Sequence, residues 1–327
     1  MSGKLRTLSE TASLIDQGGH LLVAGDEALL AQLPAGAWIG GTIPYFMTAD
    51  GGQVSRELLF VDELPGSVTA VKVSSYGPDE LPSIPVDAFE NGFSVVILPA
   101  TSAVHERYAA EAAEIPGIFD RPVVGWVSGV HLDDLGTVAP KVFAGSGDAR
   151  WEDRAVVLHA ELAEGLLASA EIVNLFHQGD GPTLTFDETG FSQRTVRVDG
   201  QERRFGEFLT ETGHDVRLPL VADYFGAMIN VSFQDVPSDG APVSLYAPVF
   251  AGVEYKLAAP VGDYVTEFAA HLPHGSVAPV FSCNCILNFL YSELEGKTTG
   301  DIAGPITFGE IAFQLLNQTL VYLKIHD

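Results

Sequence analysis

Apolar runs and helical spacings alternate along the first half of the chain. Residues 20–24 and 37–42 each form a short apolar run typical of a buried strand, and the leucines between them follow Asp26, which can cap a short helix. Residues 92–100 indicate a fully buried strand, and Ser102 can cap the helix that follows it. This order of strand, helix and strand predicts an α/β layer.

The pattern changes at about residue 183. Residues 183–258 consist of short strand-like runs separated by turn signals, which predicts a series of β-hairpins. A helix is expected to begin after Asp263 and another to cover 286–294, and residues 310–325 again have the pattern of a strand. The second half is therefore predicted to be rich in β-structure, with a few helices.

Together these patterns predict a mixed α+β fold of the layered α/β type. We expect two closely packed lobes, each built of mixed or antiparallel sheet flanked by helices. The boundary is placed near residue 180, where Gly-Asp-Gly-Pro is the densest cluster of turn-forming residues. Residues 1–180 would form an α/β lobe and residues 181–327 a β-rich lobe with helices.

Composition suggests that part of the surface is covered. Hydrophobic residues make up 46% of the chain and charged residues only 18%, whereas soluble domains usually carry roughly 25% charged residues. We therefore predict a homo-oligomer, with Tyr45, Phe46 and Phe250 as candidate interface aromatics.

The charge narrows the choice of partner. The chain has 43 acidic against 17 basic residues, a formal net charge of -26. A field of this sign repels phosphate backbones and anionic lipid headgroups, so nucleic acid and membrane surfaces are not expected partners.

A cytoplasmic location is expected from three features. No apolar run reaches the about 18 residues of a membrane span, and residues 1–16 lack the apolar segment of a secretory signal. The two cysteines, Cys283 and Cys285, are too few for the disulfide framework of a secreted protein.

Familiar catalytic and cofactor motifs are incomplete. Gly296-Lys297-Thr298 resembles the end of a phosphate-binding loop, but the upstream glycine position is Tyr291, inside an expected helix. Gly145-Ser146-Gly147 lacks the third glycine of a dinucleotide-binding loop. We therefore expect no bound cofactor and assign no catalytic residue.

One cluster has the residue types of a zinc site, namely His271, His274, Cys283 and Cys285. Two cysteines at positions i and i+2 of a strand lie roughly 7 Å apart, too far to share a tetrahedral metal unless the backbone bends. We expect no metal here and interpret the cysteines as buried thiols. A reactive Cys285 thiolate at a helix start remains a third reading.

Two stretches resemble the bacterial FIST sensory family. The first ends at Trp38-Ile39-Gly40-Gly41-Thr42-Ile43, and the second runs from Phe281-Ser282-Cys283 through Thr307-Phe308-Gly309-Glu310-Ile311 to Asn317-Gln318-Thr319-Leu320. The order and approximate spacing match, although the basic residue that usually follows Phe-Ser-Cys is missing and Cys285 is conspicuous instead. The resemblance implies binding of a small intracellular ligand, amino-acid-like in many members and haem in one branch.

The resemblance and the chemistry of its residues give the candidate ligand-binding set. Glycines allow close backbone approach, Glu310 can hold an amino group or make a structural hydrogen bond, and Asn317 either contacts ligand or pins backbone. The set is Gly40, Gly41, Thr42, Cys283, Asn284, Cys285, Gly309, Glu310 and Asn317. We expect the ligand between the lobes and the protein to be a non-catalytic sensor. A self-assembling scaffold and a thiol- or metal-dependent enzyme are the alternatives.

Overall fold

The computed structural model describes residues 3–224, 226–271 and 278–327. Its helices are α1 (Leu8–Asp16), α2 (Glu27–Leu30), α3 (Ile84–Asp87), α4 (Ala103–Glu111), α5 (Phe205–Thr212), α6 (Tyr264–His271) and α7 (Ile286–Tyr291). Its strands are β1 (Lys4–Arg6), β2 (Leu21–Gly25), β3 (Trp38–Thr42), β4 (Tyr45–Thr48), β5 (Gly51–Val54), β6 (Leu59–Glu63), β7 (Val68–Tyr76), β8 (Gly92–Pro99), β9 (Val123–Ser128), β10 (Val142–Ala144), β11 (Arg150–Trp151), β12 (Ala155–Leu162), β13 (Leu167–Val173), β14 (Leu184–Thr185), β15 (Gly190–Gln193), β16 (Thr195–Val198), β17 (Gln201–Arg204), β18 (Leu220–Tyr224), β19 (Ala227–Val231), β20 (Phe233–Asp235), β21 (Val243–Val249), β22 (Tyr255–Leu257), β23 (Phe281–Cys285), β24 (Gly304–Thr307), β25 (Glu310–Ala312), β26 (Gln314–Leu316) and β27 (Leu320–His326).

A sheet in the order β26-β25-β9-β8-β12-β7 separates two apolar cores. Strand β8 lies inside it, parallel to β9 and antiparallel to β12. Val95 and Ile97 pack into one core, whereas Val96 and Leu98 pack into the other. Because both faces of β8 are covered, its sequence is a continuous apolar run rather than an alternating one.

The first core lies between this central sheet and two further sheets. One has the order β13-β27-β23-β24-β4-β5 and the other β1-β6-β2-β3-β10-β11. Helices α1 and α2 cover the outer face of the latter, where Ile15 and Leu30 pack with Trp38. The result is a stack of helices and sheets.

The second core lies on the opposite face of the central sheet. Helix α4 contributes Tyr108, whose hydroxyl donates to the carbonyl of Phe313 at 2.9 Å. The hairpins of residues 184–257 form two small sheets that pack on the same side, with Phe186 and Phe205 in edge-to-face contact. This places the hairpin region directly against the start of α4.

The predicted fold class, mixed α+β with layered sheets and flanking helices, is confirmed. The predicted boundary near residue 180, however, does not divide the sheets into two groups. Strands β25 and β26 join the central sheet of the first half, and β23, β24 and β27 share a sheet with β4, β5 and β13. The chain returns after the hairpins and completes two sheets that its first half began.

Helix caps explain where several helices begin. Asp26 accepts a hydrogen bond from the N–H of Ala28, and Ser102 accepts one from the N–H of His105. Asp263 does the same for α6 through the N–H of Thr266. Each side chain satisfies an N–H that the helix itself leaves open. All three cap positions match the sequence pattern.

The segment expected to form one strand over 310–325 is instead three strands. Phe313 and Gln318 adopt left-handed backbone angles, with φ of 64° and 50°, and the chain reverses at each. Asn317 therefore lies in a turn between β26 and β27 rather than inside a strand.

The aromatics suggested as interface residues have different surroundings. Tyr45 and Phe46 are buried in the first core, and Phe250 is half-buried. Among the residues that the structure describes, no helix has the length and apolar character needed to cross a membrane.

Candidate ligand-binding site

Strand β23 carries three of the predicted site residues into the interior. All five of its residues are buried, and it pairs in parallel with β24 and antiparallel with β27. Cys285 is its last residue and also the N-cap residue that directly precedes α7. Asn284 accepts hydrogen bonds from the N–H of Cys285 and from Nδ2 of Asn288. This network fixes the exit of the strand into the helix.

The two thiols have different surroundings. Cys283 donates to the carbonyl of Gly125 at 3.2 Å, inside the first core. Cys285 faces a cavity. Burial, with the nearby Glu310 carboxyl as a second cause, raises the pKa of both thiols well above the usual value of 9.0. Both are therefore protonated thiols at neutral pH.

Glu310 stands behind the cavity wall. Its side chain is fully buried, and one carboxyl oxygen accepts hydrogen bonds from both the N–H and the hydroxyl of Thr319. Burial raises the pKa of Glu310 to about 8, while the contacts with Thr319 and the Cys285 thiol act in the opposite direction. With its pKa raised to about 8, the carboxyl is mostly protonated at neutral pH. Gly309 directly precedes Glu310, and a Cβ on it would lie 3.2 Å from Cγ2 of Val127.

Asn317 is held by its backbone and by part of its amide. Its carbonyl accepts from Nδ2 of Asn230 at 3.0 Å, and its own Nδ2 donates to the carbonyl of Leu316 at 3.1 Å. Its Oδ1 atom is buried without a hydrogen-bond partner in the described part of the chain. The turn is thus pinned while one acceptor is left open.

Gly40 and Gly41 have a packing role rather than a role in the cavity lined by Asn317. Both are buried in β3. A Cβ on Gly41 would lie 2.7 Å from Cγ2 of Ile97 and 3.0 Å from Nε1 of Trp126, so the glycine is required by packing between sheets. Thr42 binds the backbone of Lys141 and lines a separate cavity. The structure brings Cys285 and Asn317 together, but not the two glycines.

The structure does not bring His271 and the two cysteines of the possible zinc site together within the part of the chain that it describes. His271 is exposed in the last turn of α6, and its Nδ1 donates to the carbonyl of Glu267. His274 lies outside the described residues. Within the described ranges, no group of three or more His, Cys, Asp or Glu is arranged to hold a metal ion.

The cavity lined by Cys285 and Asn317 has a volume of about 240 Å³. We call it the His105 cavity. Its walls come from three parts of the chain. The described residues that line it are Ala100, Thr101, His105, Glu106, Leu132, Leu135, Phe191, Gln234, Leu245, Tyr246, Cys285, Ile286, Leu287, Leu290, Phe308 and Asn317. It therefore lies between the central layers and the hairpin region.

Two strand ends meet at this cavity. Ala100 and Thr101 follow the carboxyl end of β8 and lead into α4, while Cys285 ends β23 and leads into α7. Both strands have a parallel neighbour. The carboxyl ends of parallel strands are where ligands commonly bind in open α/β sheets.

His105 is the residue that sequence analysis missed. It sits in the first turn of α4 with only 8% of its surface exposed, and neither ring nitrogen has a hydrogen-bond partner in the described structure. Burial lowers its pKa to about 4, so the ring is neutral. Its ring lies 6.1 Å from that of Phe191, which belongs to the hairpin region. The sequence signal that could have indicated His105 is a histidine that closely follows a buried strand and a capping serine.

A larger cavity, of about 380 Å³, is lined by Thr42, Arg56, His131 and Asp134 among others. We call it the Thr42 cavity. Its charged side chains already have partners, since Arg56 pairs with Asp134 at 2.7 Å and is 45% exposed. The smaller His105 cavity is the stronger candidate because it leaves buried hydrogen-bonding atoms open.

Comparison with protein families gives one match. The model of a family of unknown function, DUF6976, matches residues 6–326. The chain belongs to this family. In this DUF6976 protein the match spans every described residue that lines the His105 cavity. Comparison with curated proteins found no match.

Proposed function

We propose that this DUF6976 protein is a non-catalytic small-molecule-binding protein of the sensory type, with its ligand in the His105 cavity. The observation that carries the proposal is the pair of open polar groups, the His105 ring and Oδ1 of Asn317, buried in a largely apolar wall. A buried polar atom without a partner costs about 1–3 kcal/mol. A ligand that pairs with both groups would offset this cost.

The position and chemistry of the cavity support the same reading. Clefts between layers that combine an apolar wall with a few convergent polar groups are the usual small-molecule sites. The raised pKa of Cys285 does not favour a thiolate nucleophile. The resemblance to FIST domains, proposed from the two sequence stretches, agrees with ligand binding and not with catalysis.

Native mass spectrometry of the protein isolated from its own host tests the proposal. Among the described residues each of the two cavities is lined by one histidine, so His105→Leu and His131→Leu form a matched pair. We expect a bound small molecule in the wild type and in His131→Leu, and its loss in His105→Leu. A molecule lost only in His131→Leu would move the site to the Thr42 cavity, and a wild type without any bound molecule would contradict the proposal.

We also propose a homo-oligomer. Several large apolar side chains are strongly exposed in the single chain, with exposed fractions of 80% for Val86, 59% for Phe119 and 58% for Leu167. Burial against another copy would remove this surface from water. Light scattering at micromolar concentration is expected to give more than the mass of one chain, and a monomer mass would contradict the proposal.

We propose a cytoplasmic location because both cysteines are free thiols. We also propose that the protein binds neither nucleic acid nor a membrane surface, because its net charge is -26. Reducing compartments keep such thiols unpaired. Fractionation of host cells, followed by immunodetection, is expected to find the protein with cytoplasmic markers. Recovery with periplasmic or membrane fractions would contradict this location.

A further inference from the structure

The polar groups of the His105 cavity restrict what it can hold, and this inference rests on the proposed function. The open group of Asn317 is an acceptor, because Nδ2 of the same amide is already used by the carbonyl of Leu316. A ligand that pairs with Oδ1 must therefore supply a hydrogen-bond donor. Asn317 is only 1% exposed, so its amide lies inside the protein rather than on the outer surface.

His105 offers one donor and one acceptor. In the neutral imidazole one ring nitrogen carries a proton and the other does not, and both are open here. The ring is closely packed, since His105 is only 8% exposed and its ring centroid lies 6.1 Å from that of Phe191. It is a fixed, uncharged contact point.

The buried polar wall carries no full charge. His105 is neutral because its pKa is lowered to about 4, and Cys285 is protonated because burial raises its pKa. Glu106 is the carboxylate among the described lining residues, and it is exposed at the rim. Placing a carboxylate or an ammonium group among neutral groups and apolar side chains would cost much more free energy than placing an uncharged molecule there.

The remaining wall is apolar and aromatic. Phe191 and Phe308 lie on it with Leu245, Ile286 and Leu287. The volume of about 240 Å³ is below the 300–1,000 Å³ of sites for drug-sized ligands. The site fits a compact apolar body with one polar edge.

We propose that the His105 cavity binds a small, uncharged, largely apolar molecule that donates a hydrogen bond to Oδ1 of Asn317 and contacts the ring of His105. This class excludes free amino acids, because no described lining residue offers a positive charge to their carboxylate and the carboxylate of Glu106 lies only at the rim. It therefore differs from the amino-acid-like ligand that the FIST resemblance implies.

Four compounds with one ring system test the class by isothermal titration calorimetry. Indole is uncharged and has an N–H donor, 1-methylindole lacks the donor, and indole-3-acetate and tryptamine carry opposite charges. We expect indole to bind, and the other three to bind about tenfold more weakly or worse, since each loses a hydrogen bond or buries a charge. Indole binding is expected to vanish in His105→Leu and to persist in His131→Leu.

The outcomes separate this class from the proposed function. Binding of a charged compound or of 1-methylindole as tight as that of indole overturns the class. Binding of none of the four also overturns it, and the cavity assignment still stands if native mass spectrometry detects a host molecule that His105→Leu loses. A wild type that binds none of them and carries no host molecule overturns both.

Discussion

The buried carboxyl of Glu310 accepts two hydrogen bonds from Thr319, at 3.1 Å from the backbone N–H and at 2.9 Å from the hydroxyl. These bonds tie β25 to the start of β27 across the turn that contains Asn317. Cys285, on the cavity wall, lies beside the same carboxyl. The carboxyl thus supports the cavity from behind.

Glu310→Gln is expected to change how stability depends on pH. The pKa of Glu310 is raised from 4.5 to about 8 in the folded state, so between these values the unfolded chain releases a proton that the folded chain keeps. Wild-type stability therefore falls as pH rises through this window. The uncharged glutamine does not titrate. Relative to wild type, the variant should gain on the order of 4 kcal/mol in unfolding free energy between pH 4.5 and pH 8.5.

Urea denaturation at the two pH values measures this difference, and the acidic value serves as the internal control. At pH 4.5 the glutamic acid is protonated and nearly isosteric with glutamine. Equal differences between variant and wild type at both pH values would show that the carboxyl is not held protonated.

Alkylation should distinguish the two cysteines. Cys285 lines the cavity, whereas Cys283 is sealed in the first core against the carbonyl of Gly125. Because burial raises the pKa of both thiols, alkylation should be slow at pH 7 and accelerate as the pH rises and the fraction of reactive thiolate grows. We expect Cys285 to react about tenfold faster than Cys283.

Peptide mass spectrometry after timed alkylation gives the two rates. In Cys285→Ser only the slow reaction of Cys283 should remain. Faster modification of Cys283 than of Cys285 would contradict the assignment of Cys285 as the thiol that faces the cavity.

Gly41→Ala tests whether this glycine serves packing rather than ligand binding. The added Cβ would lie 2.7 Å from Cγ2 of Ile97, and overpacking of this kind usually costs about 1–3 kcal/mol. Gly66 is the matched control, since a Cβ there meets nothing within 4 Å. Thermal unfolding should show a lower melting temperature for Gly41→Ala and little change for Gly66→Ala. A ligand-binding defect without loss of stability would restore Gly41 to the site.

The fold could be predicted further from the sequence than the site could. Strand β8 and helix α4 follow from a continuous apolar run and a capping serine, which are local signals. The turn at Asn317 depends on a left-handed Gln318, whose side chain is held by Ser232 and by the carbonyl of Arg217. Those partners are far away in sequence, so the local pattern predicted a strand.

His105 shows why the site was largely missed. His105 is a candidate because its ring nitrogens lack hydrogen-bond partners. The ring is buried where the hairpin region packs over α4, as the contact with Phe191 shows. Cys285 and Asn317 belong to the set predicted from the sequence and do line the cavity. Gly41 serves packing between sheets, and Gly40 packs against Leu30 of α2. Sequence spacing gives no measure of which buried atoms remain unpaired.

Two buried histidines provide a stability test. His105 has no hydrogen-bond partner in the described structure, whereas His159 is bonded through both nitrogens, to Tyr76 at 2.9 Å and to Ser94 at 2.8 Å. His105→Leu should therefore raise the unfolding free energy by about 1 kcal/mol, and His159→Leu should lower it by about 1–3 kcal/mol. Urea denaturation of both variants checks this, and loss of stability in His105→Leu would show that the ring is satisfied after all.

Nitrogen-15 NMR of the histidine rings tests the central claim most directly. Histidine-labelled protein is titrated with the small molecule released from the protein isolated from its host, and the ring resonances are assigned with the His105→Leu and His131→Leu variants. We predict that both ring nitrogens of His105 shift in proportion to occupancy while those of His131 do not. Shifts at His131 with an unchanged His105 would contradict the assignment of the ligand to the His105 cavity.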